Sequence, residues 1–305
     1  MLPRVAFVGF GEAGQTLASG LRSEGVTEVR AYDVLFDDPR DEDRLRRKAE
    51  ELGVRVAANH VDAVRGAEII FSAVTAESSL DAAKACLPGL DPGELFLDIN
   101  SVSPQRKRSA AALIAPTGAL YVDVAVMSPV KPLQHKVPLL VGGPGAAQLM
   151  PRLKTLNMNA EHVSDDVGQA SAIKMFRSIM IKGIEALTLE CMIAASEYRV
   201  EERVLASLKE SYPTLDWEGL SGYMIGRIVS HGRRRAAEMR EVAATLQEIG
   251  LDPIMAAATA GRQQWLADLD VKRRLGGKSS EDRSTLVTAI RGAMGKRTGE
   301  EEGSR

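Results

Sequence analysis

With 305 residues, 45% of them hydrophobic, the chain can bury two cores of ordinary size. Its 39 basic residues against 41 acidic ones exclude a broad electrostatic surface for nucleic acid, and no apolar run approaches a membrane span. Two distant cysteines in apolar settings (Cys86, Cys191) and four histidines without ligand spacing (His60, His135, His162, His231) argue against a disulfide, a thiol nucleophile or a metal site.

Met1 leads almost directly into an apolar run, which leaves no room for a signal peptide and points to the cytoplasm. That run, Val5-Ala-Phe-Val8, suits a buried parallel strand and opens into Gly9-Phe-Gly-Glu-Ala-Gly14, with helix-compatible residues at 12–21. Gly9 permits a tight turn, Gly11 lets the amides of the loop and of Glu12 and Ala13 approach a pyrophosphate, and Gly14 allows close packing of helix on strand. A second strand-like run ends at Asp33, nineteen residues beyond Gly14. Its carboxylate suits a ribose 2′-hydroxyl and repels a 2′-phosphate. The unit therefore reads as a nicotinamide dinucleotide site that prefers NAD, with NADP the alternative because Arg30 and Arg40 lie close in sequence.

Alternation of strand and helix continues: a helix is expected over 37–51 and another over 78–87, with strands at 54–57, 68–74, 94–98, 120–126 and 137–141. Val74 and Thr75, after the fourth strand, should line the cofactor pocket. Pro138 places the last strand near an edge. The pattern predicts a doubly wound α/β sheet over residues 1–164, a dinucleotide-binding (Rossmann) domain. From about Val167 the chain turns helical. A long helix begins near Gly168 and runs past Glu197 with apolar residues on nearly every face, which asks for cover from a dimer partner. Further helices are expected at 201–210, 215–229, 233–249 and 253–268, making 165–292 an all-helical substrate and dimerisation domain. Residues 293–305, rich in Gly, Glu, Lys and Arg, read as a disordered tail.

Three motifs in this order, the N-terminal GxGxxG, Asp98-Ile-Asn-Ser-Val-Ser-Pro104 and Gly168-Gln-Ala-Ser-Ala-Ile-Lys174 opening a long helix, resemble the β-hydroxyacid dehydrogenase family, which includes 3-hydroxyisobutyrate dehydrogenase and the relatives of 6-phosphogluconate dehydrogenase. The resemblance implies a Rossmann domain followed by an all-helical one, and NAD(P)-dependent hydride transfer at the CH–OH or C=O of a small hydroxy acid, with a homodimer as the expected assembly. It makes Lys174 the general acid/base and gives Asn100, Ser101 and Ser178 the task of orienting substrate. A lysine works near neutral pH only if its pKa is lowered, for which Ile173, Met175 and Phe176 would supply desolvation and Arg177 and Lys182 positive charge. Ser101 or Ser103 also suits a helix N-cap before Pro104.

Two departures from the family pattern stand out. The family's Asp-Ala-Pro-Val-Ser-Gly-Gly is here Asp123-Val-Ala-Val-Met-Ser-Pro129, so Met127 and Ser128 face the substrate differently and Pro129 removes an amide donor. Ser178 stands where an asparagine is expected, and Ala170 where a glycine is. The segment Ser230-His-Gly-Arg-Arg-Arg235 looks like that of a less characterised subgroup with its own C-terminal domain; His231 and the arginines there either bind an anionic part of the substrate or form a solvated basic face paired with Glu238 and Glu241. The altered loop also admits an imine or bulky-carbonyl reductase, and the fold alone admits an NAD-sensing protein without catalysis.

Overall fold

A computed structural model describes residues 2–302, with backbone only for 296–302. It divides into two compact units, Met1–Met175 and Phe176–Arg305. The first contains one eight-stranded sheet: β1 Val5–Val8, β2 Val29–Tyr32, β3 Arg55–Val56, β4 Ile69–Ser72, β5 Leu95–Asp98, β6 Leu120–Val126, β7 Leu139–Gly142 and β8 Ala160–Ser164. Their order is β3-β2-β1-β4-β5-β6-β7-β8, parallel throughout except where β7 runs antiparallel to β6. The central strands β1, β4 and β5 are unbroken apolar runs, except for Ser72 and Asp98 at their ends, because helices cover both faces.

The covering helices are α1 Glu12–Ser23, α2 Glu42–Glu51, α3 His60–Val64, α4 Ser79–Cys86, α5 Pro104–Ile114, α6 Val130–Leu133 and α7 Ala146–Thr155. One core gathers Phe7, Leu17, Leu21, Leu97 and Val124 on one side of the sheet; a second gathers Val8, Ile70, Phe96, Ile114 and Tyr121 on the other. Cys86 lies in the second core, where burial pushes its thiol up to about 12. β7 lies near the edge as expected, with only β8 pairing outside it, and Pro138 stands just before β7, where no ladder amide is needed. The expected helix 37–51 begins only at Glu42, because Asp33 caps a single 3-10 turn, Val34–Asp37, ahead of it.

Helix α8, Gln169–Tyr198, starts in the first unit and continues into the second, which adds α9 Glu201–Ser211, α10 Trp217–Glu248, α11 Ile254–Asp268, α12 Val271–Arg274 and α13 Arg283–Glu302. The two helices expected at 215–229 and 233–249 are one. Gly232 does not break it; its bare Cα meets the Gln263 carbonyl of α11, a close inter-helix approach that any side chain would block. The tail expected to be disordered from 293 is helical to Glu302, since Leu286, Ile290 and Ala293 recur on the face that α13 buries; residues 303–305 lie outside the described residues. Among the described residues, no helix is long and apolar enough to cross a membrane.

His135, 2% exposed, rests its Nε2 against Glu24 Oε1 at 3.0 Å. Burial holds this imidazole below its ordinary value, with Glu24 partly offsetting the effect. The unfolded chain therefore takes up the proton first, and the contribution of His135 is present above about pH 6.5 and lost as pH falls below it. The stability advantage of wild type over His135→Gln, measured by urea denaturation, should shrink from pH 7.5 to pH 5.5; an equal advantage at both would contradict this.

Candidate functional site

Strand order reverses between β1 and β4, so the loops leaving β1, β4 and β5 meet at one end of the sheet, where open α/β sheets bind ligands. Gly9 has φ +94°, and a Cβ there would meet the Ala73 carbonyl at 2.4 Å; at Gly14 it would meet the Gly9 carbonyl at 2.5 Å. Both glycines are thus required by the loop's own packing. A Cβ at Gly11 would meet nothing within 4 Å. Open space at this glycine, in front of the N-terminus of α1, is what a pyrophosphate cradle needs, and the residues present fit a dinucleotide. Glu12, in the first turn of α1, pairs with Lys131 of α6 at 2.8 Å, which moderates a carboxylate otherwise placed beside any phosphate; Ala13 follows it in the same turn.

Asp33 accepts from Phe10 N at 2.6 Å and from Leu35 N at 2.9 Å, so it fixes the glycine loop and caps the next turn while keeping lone pairs for a further donor. Arg40 is committed to Asp38 by two side-chain bonds, and Arg30 to the Asp62 carbonyl. Val74 packs beside Gly9 and donates its amide to Asn100 Oδ1 at 2.8 Å; Thr75 bonds Ser78 at 3.0 Å. Asn100 also donates to Ser72 Oγ at 3.0 Å and is 5% exposed. Its amide ties the β4 and β5 loops together, which makes it a positioning group.

Ser101, exposed at the end of β5, accepts from Lys174 Nζ at 2.7 Å. The pair lies 73 residues apart in sequence and joins the second of the three motifs to the third. Ser103, not Ser101, caps α5 through Arg106 N at 3.2 Å. The apolar shell expected around Lys174 is present only in part: Met175 is buried, whereas Ile173 and Phe176 are 44% and 40% exposed. Lys182 is held by Glu238 at 2.6 Å rather than left as a free charge, and Arg177 is exposed. Met127 is half-buried, its amide donating to the Pro138 carbonyl; Ser128 Oγ is shielded and has no hydrogen-bond partner among the described residues. Ser178 and His231 belong to the second unit.

Beneath Ser101 and Lys174 lies a buried ionic network that sequence reasoning missed. Lys107, fully buried, donates to the Asp98 carbonyl at 2.5 Å and pairs with Asp98 Oδ1 at 3.0 Å and Asp123 Oδ1 at 3.5 Å. Asp98 also takes the Asn100 amide and the Tyr121 hydroxyl at 2.7 Å. Burial and the adjoining carboxylates push the Tyr121 phenol well above its usual value, so it serves as a donor. Asp123 accepts from Gly168 N, Ser171 N and Ser171 Oγ, capping α8 one turn before Lys174. One ammonium thus links the segment that presents Ser101 to the helix end that presents Lys174. Two carboxylates against one ammonium leave a negative excess, which the N-terminal dipole of α8 offsets.

Among the described residues, no group of three His, Cys, Asp or Glu could hold a metal ion. Residues 4–102 match the family model described as NADP oxidoreductase, coenzyme F420-dependent, and residues 195–266 match a domain of unknown function (DUF1932). A conserved hypothetical protein from Sinorhizobium meliloti 1021 has a solved structure that is 36% identical, with 96% of this chain and 97% of that one covered at a TM-score of 0.80. A second, a conserved protein of unknown function described as structurally similar to 3-hydroxyacid dehydrogenases, is 32% identical over 90% of this chain and 100% of its own, with a TM-score of 0.73. Among curated proteins, 2-(hydroxymethyl)glutarate dehydrogenase of Eubacterium barkeri is 25% identical over 58% of each chain.

Proposed function

Because this chain belongs to the β-hydroxyacid dehydrogenase family, we propose that it transfers a hydride between a nicotinamide cofactor and the CH–OH or C=O of a small, carboxylate-bearing hydroxy acid, with Lys174 as general acid/base. The observation that carries this reading is the Lys174–Ser101 hydrogen bond at the carboxyl end of the sheet, connected through Asn100 and Val74 to the glycine loop.

Gly9, Gly11, Gly14 and the first turn of α1 would hold the pyrophosphate, Asp33 the ribose, and Val74 with Thr75 the pocket wall. The nicotinamide, when bound, supplies or accepts the hydride. Oxidation leaves a hydroxyl proton to be removed and reduction needs one delivered; Lys174 Nζ does both at the substrate oxygen. Ser101 Oγ accepts from Lys174, so its own proton is free to donate to that oxygen or to the carboxylate, and Ser128 offers a second hydroxyl. Ser178 and His231 are assigned to substrate on resemblance and residue chemistry alone. A homodimer is supported by the exposed apolar row Phe176, Met180 and Leu187 on α8.

NAD is the preferred cofactor in this proposal: Asp33 would present its carboxylate to the ribose, and both nearby arginines have other partners. The test is reduced-cofactor absorbance with 3-hydroxyisobutyrate, 2-(hydroxymethyl)glutarate and homologous hydroxy acids, using NAD and NADP in parallel on wild type and Asp33→Ser. Turnover with NAD favoured is expected, and the serine variant should lower the NAD-over-NADP ratio about tenfold, the effect of removing roughly 1.4 kcal/mol of discrimination. Preference for NADP in the wild type would overturn the assignment to Asp33.

A further inference from the structure

We propose that the second unit carries an anion-binding site, formed on α10 by Arg227, His231 and Arg234 above the buried Arg235, that takes a small multivalent oxyanion of the carboxylate or phosphate class. The charges in this cluster do not balance. Lys182 pairs with Glu238 at 2.6 Å and Arg234 with the same carboxylate, while Arg235 pairs with Glu185, which Arg227 Nε also approaches at 3.6 Å. Four cations therefore share two carboxylates. Arginine does not discharge at any ordinary pH, so the excess persists.

The donors do not balance either. Arg227 Nε and Arg235 Nε are both shielded from solvent and have no hydrogen-bond acceptor among the described residues, although Arg235 is only 3% exposed. A buried guanidinium N–H without an acceptor is destabilising, and a neighbouring excess of cations adds to that cost. An oxyanion would relieve both at once. The cluster is graded from inside to outside: the Arg235 side chain is buried, that of Arg227 is 29% exposed and that of Arg234 58%, which gives an anion a path from water. His231 stands at the outer end; burial, and the charges of Arg234, Arg227, Arg235 and Lys272, hold its imidazole below the ordinary value, as expected where the local field is positive. The planar forks of the arginines match carboxylate and phosphate geometry.

His231 is shared with the proposed substrate site, and a carboxylate-bearing substrate and free phosphate offer the same chemistry; calorimetry, which needs neither cofactor nor turnover, keeps failure of this site distinguishable from failure of the hydride-transfer reading. Inorganic phosphate and glutarate are titrated at constant ionic strength into wild type, Arg227→Gln, Arg234→Gln and the control Arg273→Gln, whose arginine pairs with Asp270 outside the cluster. Saturable binding of at least one anion is expected in the wild type and in Arg273→Gln, weakened tenfold or more in Arg227→Gln and less in Arg234→Gln. The preferred anion identifies the source: glutarate a carboxylate ligand, phosphate a phosphorylated or inorganic one. Heats no larger than those of chloride, or equal binding in all four proteins, would overturn the proposal, and Arg234→Gln decides alone if Arg227→Gln does not fold.

Discussion

Replacing Lys174 with alanine should lower kcat by about 10²–10⁴-fold, the range ordinarily lost with a positioned acid/base, while leaving cofactor affinity within about twofold of wild type. The separation follows from the geometry. Lys174 touches Ser101 at 2.7 Å, whereas the glycine loop is held by Asp33, the Tyr32 carbonyl and its own backbone, none of which depends on the lysine. Lys174 is half-buried at the surface of its unit, so truncation leaves no buried cavity, and the thermal midpoint should stay close to that of wild type. Steady-state kinetics beside fluorescence titration of the reduced cofactor reads both quantities. A loss of turnover smaller than threefold would remove Lys174 from the chemistry, and a parallel loss of cofactor affinity would make its role structural.

Lys107→Met should cost about 3–5 kcal/mol of stability in the first unit, because it strands the carboxylates of Asp98 and Asp123 in a region where neither is more than 2% exposed. Leaving a buried charge without its counter-ion is far worse than losing an exposed ion pair. Adding Asp123→Asn to Lys107→Met should recover part of the loss, and that non-additivity is the signature of one network. Both tryptophans, Trp217 and Trp265, belong to the second unit, so urea unfolding is best followed by far-ultraviolet circular dichroism. Where Lys107→Met folds, its kcat should fall more than its KM rises, since the network sets where the start of α8 meets the loop after β5. A variant as stable as wild type would show that the buried ammonium is dispensable.

The glycine loop, Asp33 and most of the central sheet were legible because each is a local pattern: an unbroken apolar run, a glycine at fixed spacing, an acid at a strand end. Lys174 was legible by resemblance, and its pairing with Ser101 joined two motifs already singled out. Lys107 was not, since nothing local sets it apart from Arg106 and Arg108 beside it; only the fold brings it against Asp98 and Asp123, nine and sixteen residues away. The same limit hid β8, whose Ala-Glu-His-Val-Ser has no apolar alternation because it forms an exposed edge. It also divided α10, where Gly232 resembles a stop signal until the Gln263 carbonyl is placed opposite it. Apolar residues around Lys174 led to an expected dry shell, yet helical spacing does not say which of Ile173, Met175 and Phe176 turns inward, and only Met175 does.

Deuterium on the carbinol carbon of 3-hydroxyisobutyrate and of 2-(hydroxymethyl)glutarate gives the most direct test of hydride transfer at this site. The purified chain is incubated with oxidised cofactor and each labelled acid, and the reduced cofactor is weighed by mass spectrometry. One deuterium in the reduced cofactor, formed by the wild type and at least a hundredfold more slowly by Lys174→Ala, is the predicted result. Oxidised product without label in the cofactor, or no reduced cofactor from either acid, would contradict the account.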